Sequence, residues 1–126
     1  MMKTLIMVAA GGAIGASLRF LWGFGVMRVA GPTELPVAII AVNVLGSFLM
    51  GAFVVLAAQR GLTHLSPFVM TGLLGGFTTF SAFSLETVTL LERGNFGMAG
   101  LYVALSVGLS IAGLFLGLWV MRGIML

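Results

Sequence analysis

Apolar residues dominate four long stretches, about 4–27, 37–58, 67–91 and 96–121, divided by short clusters of polar and turn-forming residues. Crossing the hydrocarbon layer of a bilayer takes about 20 residues of α-helix, so each stretch predicts one membrane span. Ala30-Gly31-Pro32-Thr33-Glu34-Leu35-Pro36 reads as a turn from its Gly and two Pro residues. Gln59-Arg60-Gly61 closes the second stretch and Glu92-Arg93-Gly94-Asn95 the third. The pattern predicts an all-α membrane protein, one domain over residues 1–126 with four transmembrane helices and very short loops.

Within the spans, small and polar positions carry the information. The first holds Gly11, Gly12, Gly15 and Ala16 on closely related faces, a surface that lets another helix approach closely, and is interrupted by Arg19. The second has no charge, and its Asn43 shares an i, i+4, i+8 row with Ser47 and Gly51. In the fourth, Tyr102, Ser106 and Ser110 follow one another at four-residue spacing and form a slowly drifting polar stripe. Gly113 and Gly117 offer a second close-packing surface.

The third span is the unusual one. From Gly72 to Glu86 it reads GLLGGFTTFSAFSLE: a Gly pair, the hydroxyls of Thr78, Thr79, Ser81 and Ser84, three Phe rings and a carboxylate. Gly-Gly followed by Thr-Thr weakens helix propagation and predicts a break that frees backbone carbonyls. Unwound backbone at membrane depth is tolerated only where protein buries it or a wet cavity receives it. A polar pathway or an ion site is therefore expected here.

Composition excludes most alternatives. The chain is 60% hydrophobic and 7% charged, with a mean hydropathy of +1.23. A soluble domain of this length has too little interior to hide so much apolar surface. With no Cys, one His and three acids, disulfides and thiolate metal sites are excluded, and enzymatic chemistry is poorly supplied. Six Lys and Arg are scattered singly at segment ends, which suits membrane topology and not a nucleic-acid surface. The first apolar run continues past Arg19 without a leader's cleavage pattern, so a retained membrane helix is expected.

With four spans, Lys3, Arg60 and Arg122 share one side of the membrane, while the other holds Arg28 and Arg93, plus Arg19 if it snorkels that way. That near-balance removes the usual positive-inside bias. Insertion in both orientations is expected, with two opposed copies pairing as an antiparallel homodimer, because four short spans alone could hardly enclose a pore and its lining.

Each polar candidate has an ordinary structural reading beside a functional one. Phe80 and Phe83, three residues apart, would normally be packing or lipid-facing rings, but their alternation with Thr79, Ser81 and Ser84 weighs against that. Ring edges are positive and can face a small anion in a dry passage. Asn43 supplies amide N–H groups for an anion or, equally, an interhelical hydrogen bond worth on the order of 1 kcal/mol. The serines suit helix packing as well as a polar track. Arg19 and Glu86, the ionisable groups well inside spans, fit a pore mouth or a structural role alike. Gly75 and Thr78 flank the expected break, where backbone oxygens from two copies could share a monovalent cation.

GGAIGASLRF (residues 11–20), NVLGSFLMG (43–51) and GLLGGFTTFSAFS (72–84) together resemble the Fluc/CrcB family of bacterial fluoride channels, over nearly the whole chain. The resemblance implies a dual-topology homodimer with two fluoride pores in the bacterial inner membrane. It also implies a central sodium ion at the dimer interface, held by backbone carbonyls that map onto Gly75 and Thr78. Phe80 and Phe83 would face fluoride with Asn43 beside them, and Ser81, Ser106, Ser110 and Tyr102 would form the polar track. Arg19 matches the arginine of the family's first-helix motif, and Glu86 follows the Phe motif near one pore end. The implied activity is passive, fluoride-selective export that lowers intracellular fluoride. A small dual-topology proton-coupled multidrug transporter is the alternative, but it wants a carboxylate in the first helix, and that helix has none. A purely structural assembly subunit would leave the Thr-Thr-Phe-Ser-Ala-Phe-Ser run unexplained.

Overall fold

The computed structural model describes residues 1–33 and 35–125; Glu34, part of the expected 30–36 turn, lies outside the described residues. The described chain is helical, with four helical stretches long and apolar enough to cross a membrane, Met2–Ala30, Val37–Arg60, Thr63–Glu92 and Phe96–Met125. The first and last run a few residues beyond their apolar cores. α1 (Met2–Ala30) continues until Gly31, whose φ of 73° suits a residue without a side chain, and Pro32 follows. α2 (Val37–Arg60) begins after Pro36 and ends on Gly61 in the left-handed conformation, whose N–H returns to the Ala57 carbonyl.

The third stretch is composite. A 3-10 turn (Thr63–Leu65) leads into a π-helical segment (Pro67–Leu74) and one α-helical turn, α3 (Gly75–Phe77). Thr78 is extended, with φ −86° and ψ 163°, and helix resumes as α4 (Ser81–Glu92). After a tight turn at Arg93-Gly94, α5 runs from Phe96 to Met125.

Small residues decide which helices pair. Along α1, a Cβ at Gly11 or Gly15 would run into the backbone at residues 68, 72–73 and 77, and one at Gly72 or Gly76 would strike α1 in return. Backbone therefore lies directly on backbone between α1 and the first half of the third span. The same holds between α2 and α5, where Gly51 meets the Leu114 carbonyl and Gly117 meets the Phe48 carbonyl. Without a hydrophobic force between helices in lipid, such close van der Waals contact is what holds them together. A small buried core of Ile40, Leu90, Ala99 and Tyr102 ties α4 to α5 and to the start of α2. Many large apolar side chains are exposed in the single chain, and of α1 only Gly11 and Gly15 are buried.

Candidate functional site

Residues 78–80 separate α3 from α4, and side chains from α1, α2 and the segment itself repair the resulting gap in the backbone ladder. Asn43 of α2 is the principal one. Its Oδ1 accepts from the Thr79 N–H at 2.8 Å, and its Nδ2 donates to the Thr79 carbonyl at 2.9 Å. Only one amide orientation satisfies both bonds, since a flip would set donor against donor. The Thr79 hydroxyl accepts from the Ala82 N–H at 3.1 Å, as an N-capping oxygen does at the start of a helix. Thr78 Oγ1 donates back to the Leu74 carbonyl at 2.9 Å. Arg19 of α1 donates through Nε to the Gly76 carbonyl at 3.2 Å. A Cβ at Gly46 would overlap the Thr78 methyl, so glycine there opens the notch in α2 that receives the extended residue.

A groove of about 330 Å³ opens beside this segment, between α2, α4 and α5. Of the residues expected on an anion path, Asn43, Phe80, Phe83, Ser106 and Ser110 line it together, with Ser47 and Thr79 among the other polar members. The Phe80 and Phe83 rings lie 5.4 Å apart at 51°, and Phe83 lies 5.3 Å from the Tyr102 ring at 39°. Phe80 remains 77% exposed, so within one chain the groove is open on its side. Tyr102 and Ser81 adjoin the groove without lining it. Ser81 Oγ sits 3.4 Å from Thr79 Oγ1, whereas Tyr102 is fully buried. Among the described residues the buried oxygens of Tyr102 and Ser106, one helical turn apart, are near neighbours but make no hydrogen bond of good geometry, to each other or to another group. Unpartnered buried hydroxyls are uncommon enough to require an explanation.

Two expected site residues lie elsewhere. Glu86 is part-buried on α4 and is not in the groove wall. Arg19 borders a separate surface hollow with Phe20, Gly23 and Phe24 while its Nε holds the Gly76 carbonyl, so its visible role is to the backbone of the third span. The sequence reading assigned no role to Thr79, Gly46 or Trp22. Trp22 packs edge-on against Phe77 with centroids 6.2 Å apart and donates to the Ala38 carbonyl at 3.2 Å, joining α1, α2 and the end of α3. An indole in an apolar run gave no sign of this. Thr79 was legible as a hydroxyl just after the Gly pair, but the capping bond it makes to the Ala82 N–H was not.

The groove is chemically neutral, with hydroxyls, aromatic rings and an amide within a shell of apolar side chains. The positive end of α4 starts at its edge, which favours negative charge there. Four helical stretches long and apolar enough to cross a bilayer define a multi-pass membrane protein, and the groove brings a few polar groups together among apolar side chains. A family model described as CrcB-like protein, Camphor Resistance (CrcB), matches residues 6–118, and the chain belongs to that family. Similar proteins include the fluoride-specific ion channel FluC of Roseobacter denitrificans, 75% identical over 126 residues covering 99% of this chain and 100% of that protein. The protein of the same name from Ruegeria sp. is 67% identical over 125 residues, covering 99% of each chain. That from Cereibacter sphaeroides is 58% identical over 123 residues, covering 98% of each.

Proposed function

We propose that this protein is a fluoride-selective channel that lets cytoplasmic fluoride leave passively down its electrochemical gradient. Membership of the CrcB family and high identity to proteins named fluoride-specific ion channels support this reading. The observation that carries it at the level of residues is the uncharged groove, where Asn43, Phe80, Phe83, Ser106 and Ser110 converge. Fluoride is small, strongly hydrated and a strong hydrogen-bond acceptor. Replacing its water takes several donors and positive ring edges in a narrow file, each modest enough to release the ion again. One N–H of Asn43 is engaged by Thr79, and among the described residues the second is uncommitted. The unpartnered hydroxyl of Ser106, which lines the groove, is explained if a passing anion completes it.

The working unit is an antiparallel homodimer in the bacterial inner membrane. Support comes from the near-balance of basic residues on the two sides, the exposure of Phe80 and a groove open on one side. A second copy would cover what one chain leaves uncovered. Gly75 and Thr78 of each copy would hold a structural sodium ion through their carbonyls. The donor set fits: in an unbroken helix these oxygens would accept from the N–H groups of Thr79 and Ala82, but those N–H groups go to Asn43 and to the Thr79 hydroxyl. Neutral backbone oxygens suit a hard monovalent cation, and glycine at 75 leaves open space, with only the Met70 carbonyl within reach at 3.4 Å of an added Cβ. Arg19 and Glu86 serve at the periphery, Arg19 as a backbone tether and Glu86 near one pore end.

The test is efflux from vesicles loaded with fluoride and chloride. Rapid loss of fluoride with chloride retained is expected, and vesicles tight to fluoride would end the proposal.

A further inference from the structure

Whether a carbonyl at a helix break is free to bind an ion depends on where the N–H four residues ahead has gone. Here the two relevant N–H groups are accounted for by two named side chains. Asn43 Oδ1 takes the Thr79 N–H at 2.8 Å and so removes the helical donor of the Gly75 carbonyl. Thr79 Oγ1 takes the Ala82 N–H at 3.1 Å and removes that of the Thr78 carbonyl. Between them, the Gly76 carbonyl is occupied by Arg19 Nε. Three side chains therefore act on three of the four carbonyls from residue 75 to 78, leaving those of Gly75 and Thr78 without their helical donors and binding that of Gly76.

We propose that Asn43 is a positioning residue for the cation site: its two-bond hold on the backbone of Thr79 keeps the Gly75 carbonyl without its helical donor, and the Thr79 hydroxyl does the same for Thr78. This rests on Gly75 and Thr78 being the sodium ligands. Asn43 also lines the groove, so one side chain touches both the anion path and the backbone that forms the cation site. Without Asn43, the Thr79 N–H would have the Gly75 carbonyl as its nearest helical acceptor. The break would then tend to close by one hydrogen bond at the expense of one ion ligand.

The experiment is a sodium titration of the purified, full-length protein, read as the rise in thermal midpoint with N-methylglucamine chloride holding ionic strength constant. Ligands that bind only the folded state raise that midpoint, and fluoride flux plays no part in the readout. For Asn43→Ala and Thr79→Val the half-saturating sodium concentration should rise about 10- to 100-fold, the usual effect of losing a group that orients a metal ligand. Thr79→Ser keeps the hydroxyl and should titrate like the parent. If Asn43→Ala folds and titrates like the parent, the proposal is overturned while the sodium site stands. If it does not fold, Thr79→Val decides in its place, by the same criterion. If the parent itself shows no sodium-specific rise, the sodium reading fails and takes the proposal with it.

Discussion

Tyr102→Phe separates stability from conduction. The Tyr102 ring is fully buried, and among the described residues its hydroxyl has no partner. Burying a hydroxyl without a hydrogen bond costs about 1–3 kcal/mol in folded proteins. Removing one oxygen relieves that cost and leaves the ring's packing on Phe83 and the Ile40, Leu90 and Ala99 cluster in place. The Phe variant should therefore resist heat or denaturant as well as the parent, or better by about 1 kcal/mol. Because the hydroxyl is fully buried and does not line the groove, it is out of reach of a passing anion, whose hydrogen bond would be worth about 1.5–3 kcal/mol or about tenfold in flux, and fluoride flux should stay close to the parental rate. Both quantities come from one preparation: unfolding in detergent, and efflux from vesicles followed with a fluoride electrode. A variant that loses about 1 kcal/mol or more of stability, the value of one structural hydrogen bond, or whose flux falls about tenfold, would refute this reasoning.

Gly15→Ala places a Cβ against the Leu73 carbonyl and 2.8 Å from the Phe77 nitrogen, and should cost about 1–3 kcal/mol in unfolding measurements. Gly23→Ala on the same helix, where an added Cβ meets nothing within 4 Å, is the control and should change stability little. Insertion in both orientations is read with a single cysteine added at either terminus of this cysteine-free chain. An impermeant thiol reagent should label it from both sides of the membrane, and labelling from one side alone would exclude a dual-topology dimer.

The four spans were legible because length and hydropathy alone specify a helix that crosses lipid, and short Gly- and Pro-containing clusters mark the turns. Helix pairing was half legible. Gly11, Gly15, Gly113 and Gly117 announced close approach, but nothing in a single sequence says that α1 meets the third span while α2 meets α5. The groove residues could be picked out as polar groups in apolar runs, at helical spacing in the case of Ser106 and Ser110. Asn43 carried two readings that the residue type could not separate, an anion donor and a structural hydrogen bond. The structure supplies the second reading in an unexpected form, a two-bond hold on the backbone of Thr79, next to the extended Thr78. The π-helical winding of Pro67–Leu74 had no sequence sign, because its residues are ordinary helix-compatible apolar ones. Arg19 was visible as a charge in a span, but its acceptor, 57 positions away at Gly76, depends on the α1 pairing that sequence did not give.

The groove itself is the claim most open to direct attack. Ser110 lines it on α5, and the absence of native cysteine makes Ser110→Cys a unique handle. Leu116→Cys, on an exposed face of the same helix, is the matched control. Fluoride efflux is measured before and after reaction with a small methanethiosulfonate reagent. If ions pass through the groove, modifying residue 110 stops efflux and modifying residue 116 does not; complete modification at 110 with undiminished efflux would place the fluoride path elsewhere.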